Sequence, residues 1–161
     1  MLRKMAVGLA CVVGTGLFIL LGTGVSGAAD PKDTVATAKE VIRLTNQERQ
    51  KAGLEPLTED ATLTDVAEKY AALMARKQQL GHDVDGTSCG DRLDKAGYRW
   101  GWCGENIEKG SPDAGAAVQG WMDSTGHRGN ILKPNSKHIG VGVAYSSAGV
   151  PYYCQVFARP Q

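Results

Sequence analysis

Gly104-Glu105-Asn106-Ile107 and Gly126-His127-Arg128-Gly129-Asn130-Ile131-Leu132, the second shortly after Trp121, are the two stretches whose reading decides the fold. Each sets a group able to donate, accept or bind a metal beside glycines. A third such group, His82, stands well upstream in Leu80-Gly81-His82.

Working outward, Val35, Ala38, Val41, Ile42 and Thr45 recur close to every 3.6 residues and predict a helix that ends near Gly53. After Pro56, the residues Leu63, Val66, Ala67, Tyr70, Leu73 and Met74 share one face of a second helix, with Thr62 as N-cap and Gly81 as its stop. That helix delivers His82 just past its end. Asp91 to Ala96 is a short helix stopped by Gly97, and Glu105 to Glu108 a short strand. Ser111-Pro112-Asp113 supplies the N-cap, first-turn proline and first-turn acid of a further helix, which carries Ala117, Val118, Trp121 and Met122 to a core and stops near Thr125-Gly126. Ile139, Val141, Val143 and Tyr145 alternate with small residues, and Tyr153, Gln155 and Phe157 alternate again after a turn at Ser146 to Gly149, which predicts a β-hairpin. Helices flanking a small, mostly antiparallel sheet make an α+β domain.

The N-terminus has Arg3 and Lys4, an apolar run from Met5 to Leu21 and small residues through Ala29, the three-part layout of a secretory signal peptide cleaved after Ala28 or Ala29. An uncleaved anchor would rest on about 17 apolar residues, near the lower limit for spanning a bilayer. Cys11 falls inside this leader and is discarded with it. Residues 30–161 then form a single domain, large enough for one real core and too small for two. The chain carries 18 Lys+Arg and 17 Asp+Glu, net +1; losing Arg3 and Lys4 with the leader turns this into about −1. Charges of both signs are interspersed, which argues against nucleic acid or an anionic membrane as partner.

The sequence as a whole resembles the CAP (SCP) domain superfamily of cysteine-rich secretory proteins, antigen 5 and pathogenesis-related class 1 proteins, in its short bacterial form. The likeness runs from about Val35 to Phe157. It is carried by Asn46-Gln47-Glu48-Arg49 with Ala52-Gly53-Leu54, Gly81-His82, Arg92 with Ala96-Gly97-Tyr98, Gly104-Glu105-Asn106-Ile107, Trp121, Gly126-His127-Arg128 with Asn130-Ile131-Leu132, Ile139-Gly140-Val141-Gly142, and Gln155-Val156-Phe157. The resemblance implies the α-β-α sandwich of that family and a cleft lined by two histidines and two acids. Here these are His82, Glu105 and His127, with Asp123 as the fourth member or Ser124 in its place. It also implies an extracellular or cell-envelope location and a lipid, sterol or envelope ligand.

Two neutral imidazoles across a cleft suit a borderline divalent ion such as zinc, bound reversibly by His82 and His127 with water and the Glu105 carboxylate completing the shell. The alternative is a hydrogen-bonded network of the same side chains with no metal and no turnover. A hydrolase acting on peptide or envelope material has two forms: water activated on the metal with Glu105 as general base, or Ser124 or Ser88 activated by His127. No His-Glu-x-x-His helix supports the first, and although Gly86-Thr87-Ser88-Cys89-Gly90 spells Gly-x-Ser-x-Gly, it lies in a predicted loop with no strand before it to form the elbow the second would need. A structural module that docks to a partner is the third class. Tyr98, Arg99, Trp100 and Trp102 cluster before the site strand as rim or core residues, or as rings for stacking a ligand; His138 reads as a capping or solvent-facing residue. Arg128 and Asn130 are expected to hold the loop around His127. Three cysteines survive the leader, and export favours a disulfide: Cys89 with Cys103, or Cys103 with Cys154 on strands of one sheet.

Overall fold

A computed structural model describes residues 33–161, so the leader expected over residues 1–29 lies outside the described residues. Helix α1 (Thr34–Lys51) starts where the Asp33 carboxylate accepts from the Ala36 N–H at 2.9 Å, and it buries Ala38, Val41 and Thr45 as the periodicity predicts. A two-residue strand β1 (Thr58–Glu59) follows, then α2 (Ala61–Lys77), α3 (Cys89–Lys95), strand β2 (Trp100–Lys109), α4 (Ala114–Asp123), α5 (Thr125–Ile131) and the hairpin β3 (His138–Tyr145) and β4 (Pro151–Pro160).

The sheet runs β1-β3-β4-β2, parallel between β1 and β3 and antiparallel elsewhere. Both its faces are covered, which is why β4 is buried along most of its length. Tyr153 and Phe157 point to a core shared with α1, α4 and α5, while Tyr152, Cys154, Val156 and Ala158 point to a second core shared with α2 and α3. This is the expected α+β sandwich. The small residues of β3 set its tightest contact: a Cβ at Gly140 would lie 2.1 Å from the Leu63 backbone, and one at Gly142 would lie 2.3 Å from the Glu68 backbone. Only glycine lets α2 lie this close to the sheet.

Several element ends differ from the sequence reading. Asp60, rather than Thr62, caps α2, accepting from the N–H groups of Thr62 and Leu63. The helix then stops at Gln78 in a left-handed conformation (φ 54), ahead of Gly81. The loop beyond is held by Tyr70, whose hydroxyl donates to the Gly81 carbonyl at 2.6 Å and accepts from the Val84 N–H at 3.1 Å. Asp113 displaces Ser111 as cap of α4; Ser111 instead offers its carbonyl to the Tyr153 hydroxyl and its own hydroxyl to Glu108. Strand β2 is longer than the four residues predicted because it pairs with β4 from Trp100 to Lys109, so Trp100 and Trp102 lie on it rather than before it. Helix α5 was not anticipated: seven residues with two glycines have little intrinsic helical preference. It is held from outside by Arg49 of α1, a buried guanidinium that donates to the carbonyls of Ile131 and Lys133 past the last turn and to that of Glu55.

Candidate functional site

Strand β2 is an edge strand, and edge carbonyls need partners. Trp121 Nε1 donates to the Ile107 carbonyl at 3.1 Å and Asn130 Nδ2 to the Glu105 carbonyl at 3.2 Å, so α4 and α5 cover the edge with side chains. Gly104 permits this approach, since a Cβ there would sit 2.9 Å from Asn130 Oδ1 and 2.8 Å from the Trp102 ring. Consecutive residues of the strand point to opposite faces. Glu105 faces the α2 and α3 side, and Asn106 the α1 and α5 side.

Glu105 is 4 % exposed and both its oxygens are engaged. Oε1 takes a hydrogen bond from His82 Nδ1 at 2.8 Å, and Oε2 pairs with Arg92 Nη2 at 2.5 Å. Cys154 Sγ also approaches Oε2, at 3.6 Å. Arg92, contributed by α3, is 11 % exposed, lies over the Tyr70 ring at 3.5 Å and donates to the carbonyls of His82 and Thr87. Each oxygen of the carboxylate thus accepts from a nitrogen donor, and the bond from the Arg92 guanidinium is charge-assisted. Because Nδ1–H donates to the carboxylate, neutral His82 presents Nε2 as its lone-pair nitrogen, on a side chain 55 % exposed. The hydrogen bond to Glu105 raises the His82 pKa above the ordinary histidine value, outweighing partial burial.

His127 sits in α5, half-buried. Its carbonyl accepts from Asn106 Nδ2 at 3.1 Å, and the same amide bonds Gln155, whose Nε2 donates to Thr45 Oγ1 at 2.7 Å. Asn130 closes this buried chain by donating to Asn106 Oδ1 at 2.9 Å. Burial lowers the pKa of His127, and the nearby charge of His82 lowers it further. The two imidazoles are therefore biased in opposite directions, His82 toward holding a proton and His127 toward staying neutral.

The remaining candidates separate. Asp123 is exposed, accepts from Gln119 at 2.9 Å, and makes no hydrogen bond or ion pair with His82, Glu105 or His127. Ser88 is committed to capping α3, exchanging bonds with Asp91; Ser124 begins α5 with no side-chain cap bond. Asn130 holds the His127 segment as expected, whereas the Arg128 side chain is exposed and takes no part in it. The aromatic cluster is spent on neighbours: Trp100 donates to Asp94, Tyr98 bonds His138, and Trp102 packs partly buried under Lys133. His138 also lies 3.6 Å from Asp60, away from the cleft residues. Among the described residues no three His, Cys, Asp or Glu side chains form a group that could hold a metal ion. A cavity of about 290 Å³ between α2 and α3 shares Tyr70 and Arg92 with the cluster, but not His82, Glu105 or His127.

The three cysteines are free thiols. The expected alternative of Cys103 with Cys154 is excluded by register: Cys103 pairs with Ala158 and Cys154 with Ile107. That four-residue offset separates them by about 13 Å along the strands, past the ~7 Å limit for a bridge. Sequence reasoning treated Arg92 only as part of a resemblance and missed its clamp on Glu105; nothing in the spacing of residues 92 and 105 signals it.

A family model described as the cysteine-rich secretory protein family, CAP, matches residues 42–157. The chain belongs to the CAP family. Protein YkwD of Bacillus subtilis is 41 % identical over 119 residues, which are 73 % of this chain and 46 % of YkwD. An extracellular protein of Bacillus anthracis containing an SCP domain is 31 % identical with a TM-score of 0.70, over 78 % of this chain and 41 % of that one. An outer surface protein of Borrelia burgdorferi, 21 % identical with a TM-score of 0.74 over 83 % of this chain and 97 % of its own, shares the fold. The chain spans about half the length, or less, of the first two relatives. No helix among the described residues is long and apolar enough to cross a membrane.

Proposed function

We propose that this CAP domain works outside the cell as a binding module, and that its cleft captures a divalent cation such as zinc reversibly on His82 and His127. The observation that carries this reading is the state of Glu105. With one oxygen on His82 Nδ1 and the other on Arg92, both oxygens are engaged and the carboxylate serves to orient the imidazole. A histidine held through Nδ1 by a carboxylate is the arrangement that aims Nε2 at a metal. Two imidazoles and water make a weak, exchangeable site rather than a permanent one. The leader-like N-terminus and the extracellular Bacillus anthracis relative support export. The cavity beside the cluster is near the lower end of small-ligand pockets, which favours a lipid or sterol lying on the surface, or an envelope component, over an enclosed one.

Arg92 supports a second reading. Its bonds to Glu105, His82 and Thr87 tie the strand to the loop after α2, which is a structural task. Zinc titration calorimetry at pH 7.5 separates the two. Metal capture requires heat in the unmodified protein that disappears in His82→Ala and in His127→Ala, and an affinity about 10- to 100-fold weaker in Glu105→Gln. No heat in the unmodified protein leaves the scaffold alone.

A further inference from the structure

Cys89 and Cys103 pack against the same core cluster beneath α2 and α3, and neither bonds His82 or His127. Cys89 is the first residue of α3 and also points at the Gly104 carbonyl, 4.0 Å away; Cys103 lies on β2, two residues before Glu105. Cys154 differs from both. It is fully buried and directs its Sγ at the Glu105 carboxylate.

We infer that Cys89 and Cys103 are a redox pair whose reversible disulfide staples α3, the carrier of Arg92, to the strand carrying Glu105. The structure shows the reduced form. Oxidation proceeds by exchange with an external disulfide R–S–S–R. One cysteine thiolate attacks it, releasing R–SH and leaving a mixed disulfide; the second thiolate displaces the other R–SH. The bond Cys89 Sγ–Cys103 Sγ forms, one external S–S bond breaks, and the two thiol protons end on the two released thiols. The closed loop runs from residue 89 to residue 103 and contains the whole of α3, so the bridge removes freedom from the unfolded chain and restricts α3 in the folded one. Cys154 cannot reach Cys103 and stays a thiol.

The test is equilibration of the full chain with mixtures of reduced and oxidised glutathione, alkylation, and tryptic digestion without reduction. Arg92, Lys95 and Arg99 lie between Cys89 and Cys103, so a bridge appears as two joined peptides, while Cys11 and Cys154 fall on separate ones. The expected result is a Cys89–Cys103 link that returns to thiols as the mixture becomes reducing, with Cys154 alkylated only after unfolding. The oxidised protein should also melt several degrees higher than the reduced one. That difference should vanish in both Cys89→Ser and Cys103→Ala. Cys89 and Cys103 both recovered as free thiols in the folded protein under fully oxidised glutathione overturn the inference. So does a dominant link from Cys89 or Cys103 to any other cysteine. The peptide map of the unmodified protein decides the matter even if a variant fails to fold.

Discussion

On the His82 side of the cleft the restraint is ionic: a buried carboxylate is held between Arg92 and an exposed histidine that follows a loop. Around His127 it is neutral: amides and a hydroxyl from Asn106, Asn130, Gln155 and Thr45 form the chain that holds the His127 carbonyl, while the buried charge of Arg49 acts at the far end of α5, on Ile131 and Lys133. The same residue type therefore meets two environments, and its proton affinity moves in opposite directions. An ionic restraint sets the chemistry of the side chain it touches. A neutral restraint on the carbonyl sets position and leaves the imidazole to the effects of burial.

The strongest way to break this contrast is to remove the cation. Arg92→Met leaves the buried Glu105 carboxyl group short of its main partner, which should destabilise the protein by about 3 kcal/mol. Urea unfolding measures it, and a loss under about 1 kcal/mol would mean that the pair behaves as a surface ion pair.

The neutral wall should answer next. Asn106→Ala removes a donor from the His127 carbonyl and a partner from both Gln155 and Asn130, at a cost of about 2 kcal/mol. The ring signals of His127 should shift while those of His82 stay in place. Equal movement of both would show that the walls are one unit.

The smallest effect is in protonation, and it sharpens the comparison most. Following the ring protons against pH should show His82 titrating above the free value of about 6.5 and His127 below it. For His82 the folded pKa is the higher, so its contribution to stability is fully present below the unfolded value and is lost as pH rises through the folded one. For His127 the folded pKa is depressed, so the folded state loses stability as pH falls through that range. In Glu105→Gln the His82 midpoint should drop toward the free value and leave His127 little changed. An unmoved His82 midpoint would remove Glu105 as the cause.

Much of the fold was legible because packing repeats. The apolar spacing along α1 and α2 and the alternation in β3 and β4 reflect elements with one or two buried faces, and each run falls on the predicted element. Helix α5 and the full length of β2 were not legible, because glycines weaken both patterns and tertiary partners supply the missing stability. Of the candidate site, His82, Glu105 and His127 could be named from short motifs and a family resemblance. That Asp123 bonds Gln119 and none of those three could not, because it depends on where α4 ends and which way that residue turns.

The sequence by itself determined the family and the layers of the sandwich and named the two histidines and the acid of the candidate site, since these depend on local periodicity and on motifs whose residues are close in the chain. Only the tertiary structure decided that Arg92 holds Glu105, that Asn106 and Asn130 hold His127, and that Cys103 faces Cys89 rather than Cys154. Those relations join side chains from separate elements. They follow from strand register and from which face each residue presents, and a shift of one residue in either would undo them.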